Sequence, residues 1–143
     1  MFEETGMKID KGHVKEVFRI YTDSYDITKE KIALKIGHTY RVADLCEQIA
    51  QSEGMGIEEQ SLAWLLGMLH DIGRFEQLKR YNTFNDAKSI DHALFGTEIL
   101  FGYEEIPEKE HGAEKGMIRC FIEDTTEDAL IKTAIGVHST YRI

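Results

Sequence analysis

This 143-residue sequence predicts an all-α fold, a bundle of helices, on three observations. It contains a single proline, Pro107. It has almost no valine-rich stretch of alternating apolar and polar residues, as half-buried strands would need. Its apolar residues instead recur at steps of three and four, the spacing that lines one face of a helix. The pattern predicts helices over 10–25, 28–53, 57–70, 89–102, 109–123 and 126–140.

The ends of these helices have their own signals. Thr28 is the expected N-cap of the second helix, with Glu30 in its first turn, and Gly54 closes it. Gly73 is expected to close the third in the same way. Ser89 is the expected cap of the helix that carries His92, and Thr125 or Thr126 of the one that carries His138. The segment Ile72 to Ile90 (IGRFEQLKRYNTFNDAKSI) shows no clean period and reads as a long connection, with a short charged surface helix as the alternative. It is net basic within an acidic chain, and long irregular connections in small domains often serve function.

A chain of this length makes one domain with a real core. Its apolar content of 42% and charged content of 30% are ordinary for a globular protein. The net charge of −9 opposes general binding to a phosphate backbone, so no nucleic-acid duplex is expected as a partner. The longest apolar run is too short for a membrane span, and the acidic start Met1-Phe2-Glu3-Glu4 is unlike a secretory signal. Cys46 and Cys120 lack paired spacing and read as thiols of a reducing compartment. Together these features predict a cytoplasmic protein without a membrane partner.

The most informative residues are His70 and Asp71, at the end of the apolar run Leu62-Ala63-Trp64-Leu65-Leu66-Gly67-Met68-Leu69. A carboxylate beside an imidazole in a buried setting is costly unless something compensates both. A divalent metal would do so. His38 continues the stripe Leu34, His38, Val42, Leu45, Ile49 and is expected to face inward. His92 falls in the first turn of its helix, and His138 continues the stripe Ile131, Ala134 or Ile135, His138. Each histidine alone is explained as a hydrogen-bonded core residue, and His70-Asp71 alone as a helix cap. Four inward histidines and a carboxylate on four helices point instead to one metal centre. His13 and His111 lie in charged surroundings and are expected at the surface without a role.

The segments Gly37-His38-Thr39-Tyr40-Arg41-Val42-Ala43 and Leu69-His70-Asp71-Ile72-Gly73-Arg74-Phe75 resemble the HD superfamily of metal-dependent phosphohydrolases over about positions 30–140. The resemblance implies an all-α HD-domain helical bundle in which His38, His70 and Asp71 bind a divalent metal. Asp91-His92-Ala93-Leu94-Phe95-Gly96 is similar to the segment that gives dinuclear members a ligand for a second ion, and His138 resembles their further histidine. Two departures accompany it. No aspartate follows His138, so the resemblance implies a single domain over 1–143 cut short before the helix with the last ligand. His138-Ser139 also stands where dinuclear members often have two histidines, and no Gly-Tyr-Pro motif is present, which argues against the cyclic-dinucleotide phosphodiesterase branch. Leu34, Val42 and Ile135 are then expected to be uncovered, and a homo-oligomer is one way to cover them.

The expected chemistry is phosphoester hydrolysis on a small phosphorylated compound such as a nucleotide. Mixed nitrogen and oxygen donors suit Mn²⁺, Fe²⁺, Co²⁺, Ni²⁺ or Zn²⁺, with one ion expected and donors left for a second. Asp71 is expected to ligate or bridge. Arg41 and Arg74 are expected to clamp the phosphate, ahead of Lys79 and Arg80, where negative charge builds in the transition state. Tyr81, Thr83, Phe84 and Asp86 are candidate pocket residues. Two other readings compete: a non-catalytic helical module that binds a metal or ligand, and a diiron oxygenase on the same scaffold.

Overall fold

The computed structural model describes residues 8–102 and 116–138, and all regular structure among them is helical. The helices are α1 (Lys11–Asp23), α2 (Glu30–Ser52), α3 (Ile57–Leu69), α4 (Ile72–Tyr81), α5 (His92–Phe101), α6 (Ile118–Phe121) and α7 (Asp128–Val137), with a 3-10 turn at Asp86–Lys88. Five of the six expected helices appear within a few residues of their expected ends. Of the sixth, 109–123, only residues 118–121 are seen as helix, and 109–115 lie outside the described residues. His111 lies there too. No helix among the described residues is long and apolar enough to cross a membrane.

The main correction concerns Ile72 to Ile90. It begins with ten residues of helix, and α4 buries Ile72, Phe75 and Leu78 beside Gly73 and Gln77. Phe75 is fully buried and its ring meets Phe18 edge-on at 6.0 Å and Tyr21 at 6.0 Å. Tyr21 also donates its hydroxyl to the Ile72 carbonyl. These contacts fasten α1 across α4. The period is hard to read because a glutamine and a glycine hold two of its inner positions. Asn82, in the left-handed conformation at φ 54°, ends the helix.

Gly73 therefore does not close α3. It sits inside the first turn of α4, where a Cβ would lie 2.4 Å from the His92 carbonyl oxygen, so it permits α5 to approach. Gly67 serves α2 and α3 in the same way, because a Cβ there would lie 2.5 Å from Ala43 Cα. Gly54 does end its helix as expected, at φ 77°. The caps differ in detail. Lys29 precedes α2 without a side-chain bond, Asp91 rather than Ser89 caps α5 by accepting from the Ala93 and Leu94 amides, and Glu127 precedes α7.

The close crossing at Ala43 and Gly67 also rotates the buried face of α2. Its buried residues are Ile32, Thr39, Ala43 and Ala50, while Leu34, Leu45 and Ile49 are 60%, 54% and 61% exposed. The expected stripe is thus an edge, not the core. His38 lies on that edge and is half-exposed. Val42 is half-buried, whereas Ile135 is buried, contrary to its expected exposure.

Candidate metal centre

Asp71 is where the bundle converges. His70 ends α3 and Asp71 opens α4, so the pair forms the corner between two buried helices. Asp71 is 5% exposed, and its side chain makes no cap bond to the following amides. Its partners are instead cationic or imidazole groups. Oδ2 lies 3.0 Å from Lys35 Nζ, 3.2 Å from His70 Nε2 and 3.6 Å from His38 Nε2. Oδ1 lies 3.3 Å from His92 Nε2 and 3.5 Å from His138 Nε2. One carboxylate thus faces two pairs of histidines with two different oxygens.

Local structure aims these rings. His70 Nδ1 lies 2.6 Å from the Gly67 carbonyl and His138 Nδ1 lies 2.7 Å from the Ile135 carbonyl, each three residues back on its own helix. His92 Nδ1 lies 2.8 Å from Asp86 Oδ2. Facing an acceptor, each Nδ1 carries the proton in the neutral ring, and Nε2 is left with its lone pair. His92 Nε2 and His138 Nε2 are 3.0 Å apart. Lone pairs and a carboxylate converging at such distances repel unless a proton or cation lies among them. That donor set fits a divalent ion.

Ligand atoms of His38, His70 and Asp71 all lie within 4.8 Å of one another, as do those of Asp71, His92 and His138. The five metal-ligand candidates of the sequence are therefore brought together. Burial raises the Asp71 carboxyl pKa, but hydrogen bonds with His138, His70 and His92 outweigh it and hold the group well below its ordinary range. Burial lowers the pKa of His138, yet its bond with Asp71 raises it overall. His38 is lowered, by burial and then by Lys35.

The basic residues are distributed differently from expectation. Arg74 is not a free clamp: its Nη1 donates to Gln77 Oε1 at 2.9 Å, the Phe84 carbonyl at 2.6 Å and Asp86 Oδ1 at 2.9 Å. Arg41 is exposed and lies back over Gly37, one turn along α2 from His38. Lys79 sits over the Tyr25 ring, and Arg80 pairs with Glu76 and covers Phe95. Sequence reasoning missed Lys35, which reaches Asp71 and lies over the Phe84 ring. The available signal was its place three residues before His38, on the same helix face. Of the proposed pocket residues, Phe84 and Asp86 border the centre, Thr83 accepts from the Asn85 amide, and Tyr81 is exposed.

An apolar groove of about 240 Å³ runs up to His70 and His138, lined by Val42, Cys46, Leu66, Gly67, Ala134 and Ile135. A larger hollow of about 760 Å³ near His13 and Arg119 shares no lining residue with the centre. His13 is exposed, as expected, with its Nε2 2.7 Å from the Cys120 carbonyl.

The HD domain family model matches residues 36–135. Among curated proteins, a 3′3′-cGAMP-specific phosphodiesterase from Vibrio cholerae is 31% identical over 61 residues, which is 43% of this chain and 14% of that protein. The chain thus spans about a seventh of the length of the relative it matches. No solved structure matches. With a match that covers His38, His70, Asp71 and His92 and reaches into α7, this chain belongs to the HD domain family.

Proposed function

We propose that this protein is a metal-dependent phosphohydrolase of small phosphorylated compounds, with nucleotides the first class to test. The observation that carries the reading is the Asp71 carboxylate, buried between His38 and His70 on one oxygen and His92 and His138 on the other. His38, His70 and Asp71 would hold one divalent ion, and His92 and His138 would share Asp71 in holding a second. Such ions supply a Lewis acid for the phosphoryl group and lower the pKa of water toward neutrality.

The remaining work falls to the chain itself. Lys35 Nζ, beside Asp71, would be the first cation to meet non-bridging phosphate oxygens, and the exposed Arg41, one turn along α2 from His38, would join it by swinging away from Gly37. Arg74 supports the wall of the site through Phe84 and Asp86. The apolar groove beside His70 and His138 offers room for an organic group attached to the phosphate. The phosphodiesterase named above supports phosphoester chemistry, without fixing the substrate of this chain.

Hydrolysis of a nucleotide panel and of p-nitrophenyl phosphate with added Mn²⁺ tests the proposal. His70→Ala and Asp71→Ala should each abolish activity while the helical circular dichroism persists. Hydrolysis retained in both variants would refute it. One observation favours a second reading: the group around His38 has three donors, and no further carboxylate among the described residues joins it. A binding module would take up Mn²⁺ yet hydrolyse none of the panel.

A further inference from the structure

Of the three anchored histidines, His92 is the exception. His70 and His138 are aimed by carbonyls of their own helices, whereas His92 is aimed by a side chain six residues earlier in sequence, outside its helix. We infer that Asp86 is a positioning residue for the centre: it fixes His92 as the Nδ1-protonated tautomer, so that the Nε2 lone pair is presented beside Asp71. This rests on the metal-centre reading for its consequence, but the tautomer itself can be tested without metal.

The two oxygens of Asp86 have separate tasks. Oδ1 accepts from Arg74 Nη1 and from Gln77 Nε2, both at 2.9 Å. Oδ2 accepts from the His92 backbone N–H at 3.2 Å and faces His92 Nδ1 at 2.8 Å. Gln77 is fully buried, and its amide nitrogen also donates to Ser89 Oγ at 3.0 Å and to the Ile90 carbonyl at 3.3 Å. Gln77 and Arg74 thus pin residues 84–90 to α4 and prevent the carboxylate from turning. His92 is 3% exposed, so no solvent path replaces that acceptor readily. A carboxylate behind a ligating histidine fixes ring orientation and raises ligand basicity.

This arrangement makes Asp86→Asn a sharp test. Arg74 and Gln77, each at 2.9 Å, claim the amide oxygen against the single longer bond from the His92 backbone N–H at 3.2 Å, which is given up as the new NH₂ turns toward His92. Nδ1 must then accept, and the proton moves to Nε2, where it blocks ligation. The same carboxylate-to-amide exchange behind a catalytic histidine is known to impose the wrong tautomer while leaving geometry intact.

The measurement is long-range ¹H–¹⁵N NMR of His92 in metal-free wild-type protein and Asp86→Asn, in mildly alkaline buffer, with Mn²⁺ titrations in parallel. Wild type should show Nδ1 protonated, and the variant Nε2 protonated with unchanged circular dichroism. Mn²⁺ affinity should fall about 10- to 100-fold, and Asp86→Glu, which restores an acceptor, should recover part of it. An Nε2-protonated His92 in wild type would overturn the inference, even if the variant failed to fold. So would an unchanged tautomer and affinity in Asp86→Asn. Failure of wild type to bind Mn²⁺, with the tautomer switch still present, would sink the metal reading and leave the positioning role standing.

Discussion

Replacing Gly67 by alanine tests how the site is assembled. A Cβ at that position would lie 2.5 Å from Ala43 Cα, 2.9 Å from Ala43 N and 3.2 Å from the Val42 carbonyl carbon. All three are backbone atoms, so no side chain can turn aside and α2 and α3 must separate. Ordinary contact begins near 3.4 Å, so the nearest approach falls short by about 0.9 Å. Overpacking of this kind costs about 1–3 kcal/mol, partly offset by up to about 1 kcal/mol of better helix propensity. Because the overlap is with backbone atoms at 2.5 and 2.9 Å, the overpacking cost falls at the upper end of its range. The net loss of about 2 kcal/mol corresponds to a fall in Tm of about 5–10 °C for a domain of this size. His38 stands on α2 and His70 ends α3, so the same displacement widens the gap their nitrogens must bridge, and Mn²⁺ binding should weaken with it. Gly12→Ala is the control, because its Cβ meets only Asp10 Oδ1 at 3.4 Å, and it should hold or raise Tm. Thermal melts by circular dichroism with Mn²⁺ calorimetry supply both readings. A Gly67→Ala protein as stable as wild type would refute the argument for a backbone-close crossing.

Two further outcomes follow from the electrostatics of Asp71. Lys35→Met removes the cation 3.0 Å from Oδ2; a metal would then meet no competitor for that oxygen, so Mn²⁺ should bind several-fold tighter, on the order of one kcal/mol, while hydrolysis slows. Calorimetry and steady-state rates report the two separately, and faster hydrolysis would contradict Lys35's assigned role. The pKa of His138 is raised above 6.5 in the folded protein. Its contribution to stability is therefore fully present below the unfolded value and is lost as pH rises through the folded one. EDTA-treated protein should lose Tm across that interval, whereas Mn²⁺-loaded protein should gain it, because ligation requires neutral imidazoles. A pH profile with the same sign in both states would show that His138 does not face the metal.

Much of the centre was legible because its residue types are costly where they occur. A carboxylate after an apolar run needs a partner, and the histidines fell at helical spacing on segments already expected to pack. The supporting residues were less legible. Lys35 was missed, and Asp86 was expected as a pocket residue but not as the partner of His92. Both are of kinds that normally face solvent, and only the turn of α2 and the fold of residues 84–90 bring them to Asp71 and His92. Helix α4 was obscured because its inner face holds Gly73 and Gln77, which look respectively like a stop and a surface residue. The buried side of α2 was misjudged for a related reason. Where two backbones nearly touch, at Ala43 and Gly67, the core positions must be small, and the larger Leu34, Leu45 and Ile49 are left at the edge.

The central claim is that Asp71 is the shared member of two ligand groups. Metal content per chain, measured by inductively coupled plasma mass spectrometry after Mn²⁺ loading and desalting, tests it directly across wild type, His38→Ala, His92→Ala and Asp71→Ala. The account predicts that each histidine variant loses the ion of its own side and that Asp71→Ala loses all bound metal. Metal retained undiminished in Asp71→Ala would contradict it.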